Sequence, residues 1–136
     1  MPVRGIRGAT TASANTAEAI TKATAELLGE LIRLNDIQVS EVCFAYFTST
    51  LDLDAEFPAY AARKLGWISV PLLCGNDMVV SVPSHRSVPM CTRIILLSHP
   101  QHAQAVIRFA SLHVAQALRV VLVHTSNSLA RPRPLP

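Results

Sequence analysis

The chain has three cysteines, two lysines, seven aromatic residues and, beyond residue 77, no acidic residue at all. Each scarcity excludes something. Cys43, Cys74 and Cys91 are odd in number and show no C-x-x-C spacing, which argues against a disulfide framework or a zinc site and fits the reduced thiols of a cytosolic protein. So few aromatics, with no lysine-rich run and no basic and aromatic interleaving, leave little to stack on or grip nucleic acid. No uncharged apolar stretch reaches the about 18 residues that span a membrane, and no charged N-terminal segment leads into a long apolar run. Neither nucleic acid nor membrane is expected as a partner, and the expected location is the cytoplasm. A glycine-rich phosphate loop and a Ser/His/Asp set are missing too. The five histidines all follow residue 84, and His99 and His102 stand three apart with no carboxylate or cysteine in their segment. Solvated or locally bonded imidazoles are expected there, not a metal site.

Half of the 136 residues are hydrophobic, enough for one ordinary core, because a chain of this size buries roughly two-thirds of its unfolded surface. A single domain over residues 1–120 is expected, followed by a divergent, flexible tail over 121–136, where three prolines in "ARPRPLP" disfavour regular structure. Charge is unevenly divided. Residues 1–77 hold all nine acids against six bases, giving −3, whereas residues 78–136 hold six arginines alone, giving +6. That excess calls for an anion. Ten of the twelve basic residues are Arg, whose planar fork grips carboxylate or phosphate with two parallel hydrogen bonds, so a small polyanion suits the chain.

Local patterns give an order of elements. Residues 3–9 read as a short strand, with Gly5 and Gly8 permitting close backbone approach or unusual φ. "NTAE" supplies an N-cap at Asn15 with Glu18 three positions on, and Ile20, Ala23, Leu27, Leu28, Leu31 and Leu34 then recur at helical spacing through residue 34. "VCFAYFTST", 42–50, is a buried strand by its β-branched and aromatic content. Pro58 opens a second helix, "PAYAARKL", and Gly66 stops it. "ISVPLLC", 68–74, and "CTRIILL", 91–97, read as two further strands. Beyond residue 98 the periodicity allows either a helix over "QHAQAVIRFASLHVAQAL" or a strand through "VIRFASL".

"VRGIRGATT", the capped helix, "DLDAEFPAYAARKLGW", "VPLLC" with an acid three residues later, and "CTR" together resemble, in this order, the small trimeric chorismate mutases of bacteria. The similarity covers residues 3–78, returns at Cys91–Leu97 and weakens afterwards. It implies an α+β fold in which a mixed β-sheet packs against two helices and three subunits join as a pseudo-α/β barrel with sites between neighbours. It also implies the rearrangement of chorismate to prephenate, in which one C–O bond breaks while a C–C bond forms, with no covalent intermediate, metal or cofactor. Such a reaction needs a flexible dianion held in a compact conformer and positive charge beside the ether oxygen.

Carried over residue by residue, the resemblance assigns Arg7 to a substrate carboxylate and Arg93, in "CTR", to the breaking ether bond, where an outward-facing strand arginine is the plainer reading. Phe57, Ala59 and Arg63 match the part supplied by an adjacent subunit, though Phe57 suits a core equally. Cys74 matches a cysteine lining the pocket, while Cys43 and Cys91 read as small buried hydrophobes. Asp77 stands where the family has a Glu that accepts from the substrate hydroxyl, one methylene shorter; as a residue of "GNDM" it also suits capping a turn. Arg4 inherits no role, and a surface or interface ion pair is its expected use. Further departures are an insertion of about four residues within "SVPSHRSVPM", Tyr60 in place of a basic residue, Ser111 in place of a pocket tyrosine, and Val120 in place of a proline that follows the pocket arginine matched by Arg119. The acid-free end fits either a divergent family terminus or a locally altered reading frame. A second reading of function therefore stands beside the enzyme: a catalytically silent homotrimer that binds a small carboxylate or a regulatory partner.

Overall fold

Alternate residues of the first strand are buried, and that period of two sets the plan of the molecule. The computed structural model describes residues 3–80 and 88–99, together with the backbone at 106–108, 110–112 and 123–125. In β1, Arg4–Thr11, the buried positions are Ile6, Gly8 and Thr10, while Gly5 and Arg7 face outward. Neither Gly5 nor Gly8 takes a positive φ, and the space around Gly5 is open, so close approach is not its use.

Helix α1, Ala17–Asn35, buries Ile20, Ala23, Thr24, Leu27, Leu28 and Leu31 as one stripe. Its cap is Thr16, not the expected Asn15: Thr16 Oγ1 accepts from Ala19 N at 3.1 Å. Asn15 is drawn elsewhere. Its Oδ1 accepts from the backbone N–H groups of Asp54 and Ala55, both at 3.0 Å, and its Nδ2 donates to Asp54 Oδ1 at 2.6 Å. A side chain 39 residues away thus clamps the loop that follows the next strand. Asn15→Ala leaves two N–H groups to water and is expected to cost about 1 kcal/mol, read as a lower urea midpoint at unchanged m-value.

Strand β2, Val42–Ser49, carries a bulge between Val42 and Phe44. Cys43 falls at this irregularity and is exposed, which corrects its reading as a buried hydrophobe; Cys91 is buried as expected. Helix α2, Ala59–Lys64, follows Pro58 and ends at Gly66, whose φ of +89° favours glycine. Strand β3 is Leu72–Asn76 and starts later than the expected 68–74. The carbonyls of Trp67, Ile68 and Val70 all accept from Arg63 Nη1, the latter two at 3.0 and 3.1 Å, so they are occupied by a side chain rather than by a ladder. The ladder begins where Ala45 N donates to the Pro71 carbonyl at 3.0 Å. Strand β4, Cys91–Ser98, matches expectation within a residue. Strands β5, Val106–Arg108, and β6, Ala110–Leu112, settle "VIRFASL" in favour of strand. Strand β7, Val123–Thr125, within the segment read as a tail, pairs with β5.

The main sheet has the order β3-β2-β4-β1-β6, with β4 antiparallel to both neighbours and the outer pairs parallel. It is therefore a mixed sheet in an α+β fold. One face meets the helices: Ile6, Leu27, Leu28, Leu31, Phe47 and Ile94 belong to a single buried cluster. Each such side chain is worth about 1.5–3 kcal/mol in transfer free energy. The other face has no helix over it among the described residues. It presents Phe44, Ile95 and Leu73, which are 38%, 41% and 66% exposed.

Candidate active site

The open face of the sheet carries the arginines. Arg93 is held on β4 between two strands in register with it, Ala9 of β1 and Thr48 of β2, so all three side chains leave the sheet on the same side. Gly75 of β3 pairs with Thr48, and Ser111 of β6 pairs with Ala9. One transverse row therefore runs Ser111, Ala9, Arg93, Thr48, Gly75 across all five strands. Arg7 lies in the next row, opposite Ile95, and is the diagonal neighbour of Arg93 at about 7–8 Å between backbones.

Arg93 does not stand alone. Its Nη1 donates to Asp77 Oδ2, forming a charge-assisted pair in which the Asp77 side chain is 12% exposed and the Arg93 side chain 42% exposed. Asp77 is placed by the backbone: its N–H donates to the Ser49 carbonyl at 2.9 Å, one step past the last ladder pair of β2 and β3. Asp77 thus serves Arg93 rather than a turn. The pair sets a cation beside a carboxylate on the open face, with Oδ2 as the oxygen that takes the Arg93 hydrogen bond.

Alternation along β3 sends Cys74 the other way, against the helix-side core. Burial pushes its thiol pKa upward, an effect partly opposed by the Ala59 backbone N–H at the start of α2. Cys74 is a neutral pocket wall rather than a nucleophile. It borders a cleft of about 550 Å³ lined also by Leu51, Asp54, Phe57, Pro58 and Asn76. Phe57 is 71% exposed, which decides against a core role and leaves an apolar ring bare at the mouth. Within the one chain, then, the expected residues form two groups. Arg7, Asp77 and Arg93 share the open face; Phe57, Ala59 and Cys74 gather at the outer edge of β3. Arg63 joins neither, because its Nη1 is turned onto the carbonyls of residues 67, 68 and 70.

Arg4 is half-buried, its Nε lacks a hydrogen-bond partner within the chain, and it makes no ion pair among the described residues, which leaves the interface pair as its expected use. Arg119, His102, the "SVPSHRSVPM" insertion apart from its last three residues, and the side chain of Ser111 lie outside what is described. Among the described residues no three His, Cys, Asp or Glu side chains are grouped to hold a metal, and no helix is long and apolar enough to cross a membrane.

One residue of this face escaped the sequence reading. Tyr46, in the row of Arg7, leans along the sheet so that its ring tip covers Gly75: a Cβ at position 75 would overlap the Tyr46 hydroxyl and lie 3.2 Å from Cζ. The signal for it is a glycine inside a strand, which often marks the close approach of another group.

Residues 3–122 match the family model described as chorismate mutase type I. The chorismate mutase of Thermus thermophilus is 42% identical over 118 residues, 86% of this chain and 93% of that protein. The chorismate mutase of Bacillus subtilis is 36% identical over 129 residues, covering 94% and 98%. Among solved structures, a chorismate mutase from Clostridium thermocellum superposes with a TM-score of 0.76 at 37% identity, covering 85% of this chain and 99% of that one.

Proposed function

The chain belongs to the chorismate mutase type I family and is a chorismate mutase, an isomerase of aromatic amino-acid biosynthesis, and from that premise we propose how its own residues bring about the rearrangement of chorismate to prephenate. The observation that carries the reading is the Arg93–Asp77 pair on the open sheet face with Arg7 on its diagonal. Arg7 takes a substrate carboxylate. The Arg93 guanidinium, oriented by Asp77, faces the ether oxygen and meets the negative charge that grows there as the C–O bond breaks, an interaction stronger in the transition state than in the ground state. Asp77 uses Oδ2 for Arg93 and keeps Oδ1 to accept from the substrate hydroxyl. Held at three points, two of them cationic, the flexible dianion is confined to the compact conformer from which its carbon ends join.

A complete site needs a neighbour. Phe57 and Ala59 are offered by an adjacent subunit, with Cys74 as pocket wall and with the remaining N–H groups of Arg63, whose Nη1 stays on the carbonyls of Trp67, Ile68 and Val70. The apolar open face of Phe44, Leu73 and Ile95 is the surface on which copies pack as a homotrimer. Patches of this kind mark association surfaces. Sedimentation equilibrium at micromolar concentration is expected to give three times the 14.7 kDa chain mass. A monomer would remove both the assembly and the composite site. We assign the protein to the cytoplasm, where its free thiols stay reduced. Activity itself is tested by the loss of chorismate absorbance with purified protein against a heat-inactivated control, and no loss would leave the silent trimer as the reading.

A further inference from the structure

We propose that the Tyr46 hydroxyl is a further substrate contact, donating a hydrogen bond to a substrate carboxylate on the flank of the site away from Arg93; this rests on the function proposed above. Tyr46 and Arg93 leave the sheet on the same face: Tyr46 is opposite Ile95, and Thr48, two residues on, is opposite Arg93. The phenol does not rise straight from its own row. It is laid along β2 and β3 until its tip stands over Gly75, in the row of Arg93, and a side chain as small as alanine at 75 would collide with it.

Strands β3 and β4 are separated by β2, so Gly75 and Arg93 are about 9–10 Å apart across the face. Arg93 spans part of that gap to reach Asp77, which follows Gly75 by two residues and leaves the sheet on the same side. The guanidinium, the carboxylate and the phenol therefore border one stretch of surface. The breaking bond lies with Arg93, which leaves the far flank to a peripheral anionic group, and a phenol O–H is a good donor to a carboxylate. The hydroxyl has no hydrogen-bond partner among the described residues. A Tyr enclosed by packed neighbours usually finds one. When copies close over this face the hydroxyl needs an acceptor, and a substrate carboxylate in the cleft supplies one. Gly75 is then a companion of Tyr46, kept small so that the hydroxyl can sit where it does.

The test is steady-state turnover of chorismate by wild type, Tyr46→Phe, Gly75→Ala and the double variant, with sedimentation and thermal melting on each. A carboxylate is equally charged in ground and transition states, so Tyr46→Phe is expected to raise KM about tenfold with kcat nearly unchanged. The trimer mass and melting temperature should stay the same. Gly75→Ala, which pushes the hydroxyl off its place, is expected to raise KM to a similar extent, and the double variant to be no worse than either. Unchanged KM in Tyr46→Phe overturns the proposal. So does a fall in kcat with KM held, which would put the hydroxyl on Asp77 or Arg93 instead of the substrate. Additive losses in the double variant, or a changed sedimentation mass in Tyr46→Phe, would make the role structural and equally overturn it. A wild-type protein that does not turn over chorismate removes the parent reading and this contact with it, whereas an active wild type with an indifferent Tyr46→Phe removes this contact alone.

Discussion

Arg93→Gln is expected to lower kcat by on the order of 10²-fold or more, the usual cost of removing one donor aimed at developing negative charge, about 3 kcal/mol. Glutamine keeps a polar, similarly shaped side chain on β4 but no positive charge. The fold should survive. Arg93 lies on the open face, 42% exposed, while the strand is anchored by Ile94 and Leu96 on the buried one. Thermal melting within a few degrees of wild type, alongside the lost turnover, would separate chemistry from stability. KM is expected to change less than kcat, because the contact strengthens mainly as the C–O bond breaks. Unchanged turnover would show that Arg93 is only an outward strand arginine.

The second large effect is expected at Asp77, through two routes. Asp77→Ala removes the proposed acceptor for the substrate hydroxyl and also releases Arg93 from its hydrogen-bond partner. Leaving such partners unmet in a desolvated site costs about 1–3 kcal/mol, which corresponds to about a five- to 150-fold loss in kcat/KM. Asp77→Glu should retain or raise kcat/KM, since its longer arm still reaches Arg93 and brings the carboxylate nearer the hydroxyl. Rescue by Glu with loss in Ala identifies the carboxylate itself as the functional group. Activity indifferent to Asp77→Ala would remove the residue from the site.

Much of this was legible in the chain because it is local. The stripe of α1, the alternation in β1 and the glycine that ends α2 follow from helical and strand periods and from backbone sterics, which act over a few residues. "VRGIRGATT" and "CTR" announced their arginines through a resemblance, and the two segments do meet as neighbouring strands. The misread cap and the late start of β3 each depend on a specific side-chain contact that composition does not show. Asn15 has the chemistry of a cap, yet two N–H groups from residues 54 and 55 outcompete its own helix, and Thr16 takes the cap instead. "ISVP" has strand composition, yet Arg63 claims its carbonyls.

The candidate site divides in the same way. Residue types and their chemistry, a cationic fork in "CTR" and a shortened acid in "GNDM", were present in the sequence. That Arg93 and Asp77 form one pair was not, because 16 residues separate them and only the parallel pairing of β2 and β3 lifts Asp77 to the level of Arg93. Nor could sequence alone place Tyr46 over Gly75, since the register of two strands decides which side chains share a row, and a slip of one residue would send them to opposite faces. By itself the sequence determined the elements as far as β4, to within a few residues, together with the family resemblance and the charged chemistry available, all of which arise from short-range preference and residue identity. Tertiary structure decided which groups face one another, because that depends on strand order and register, which are fixed only when the sheet closes over its core.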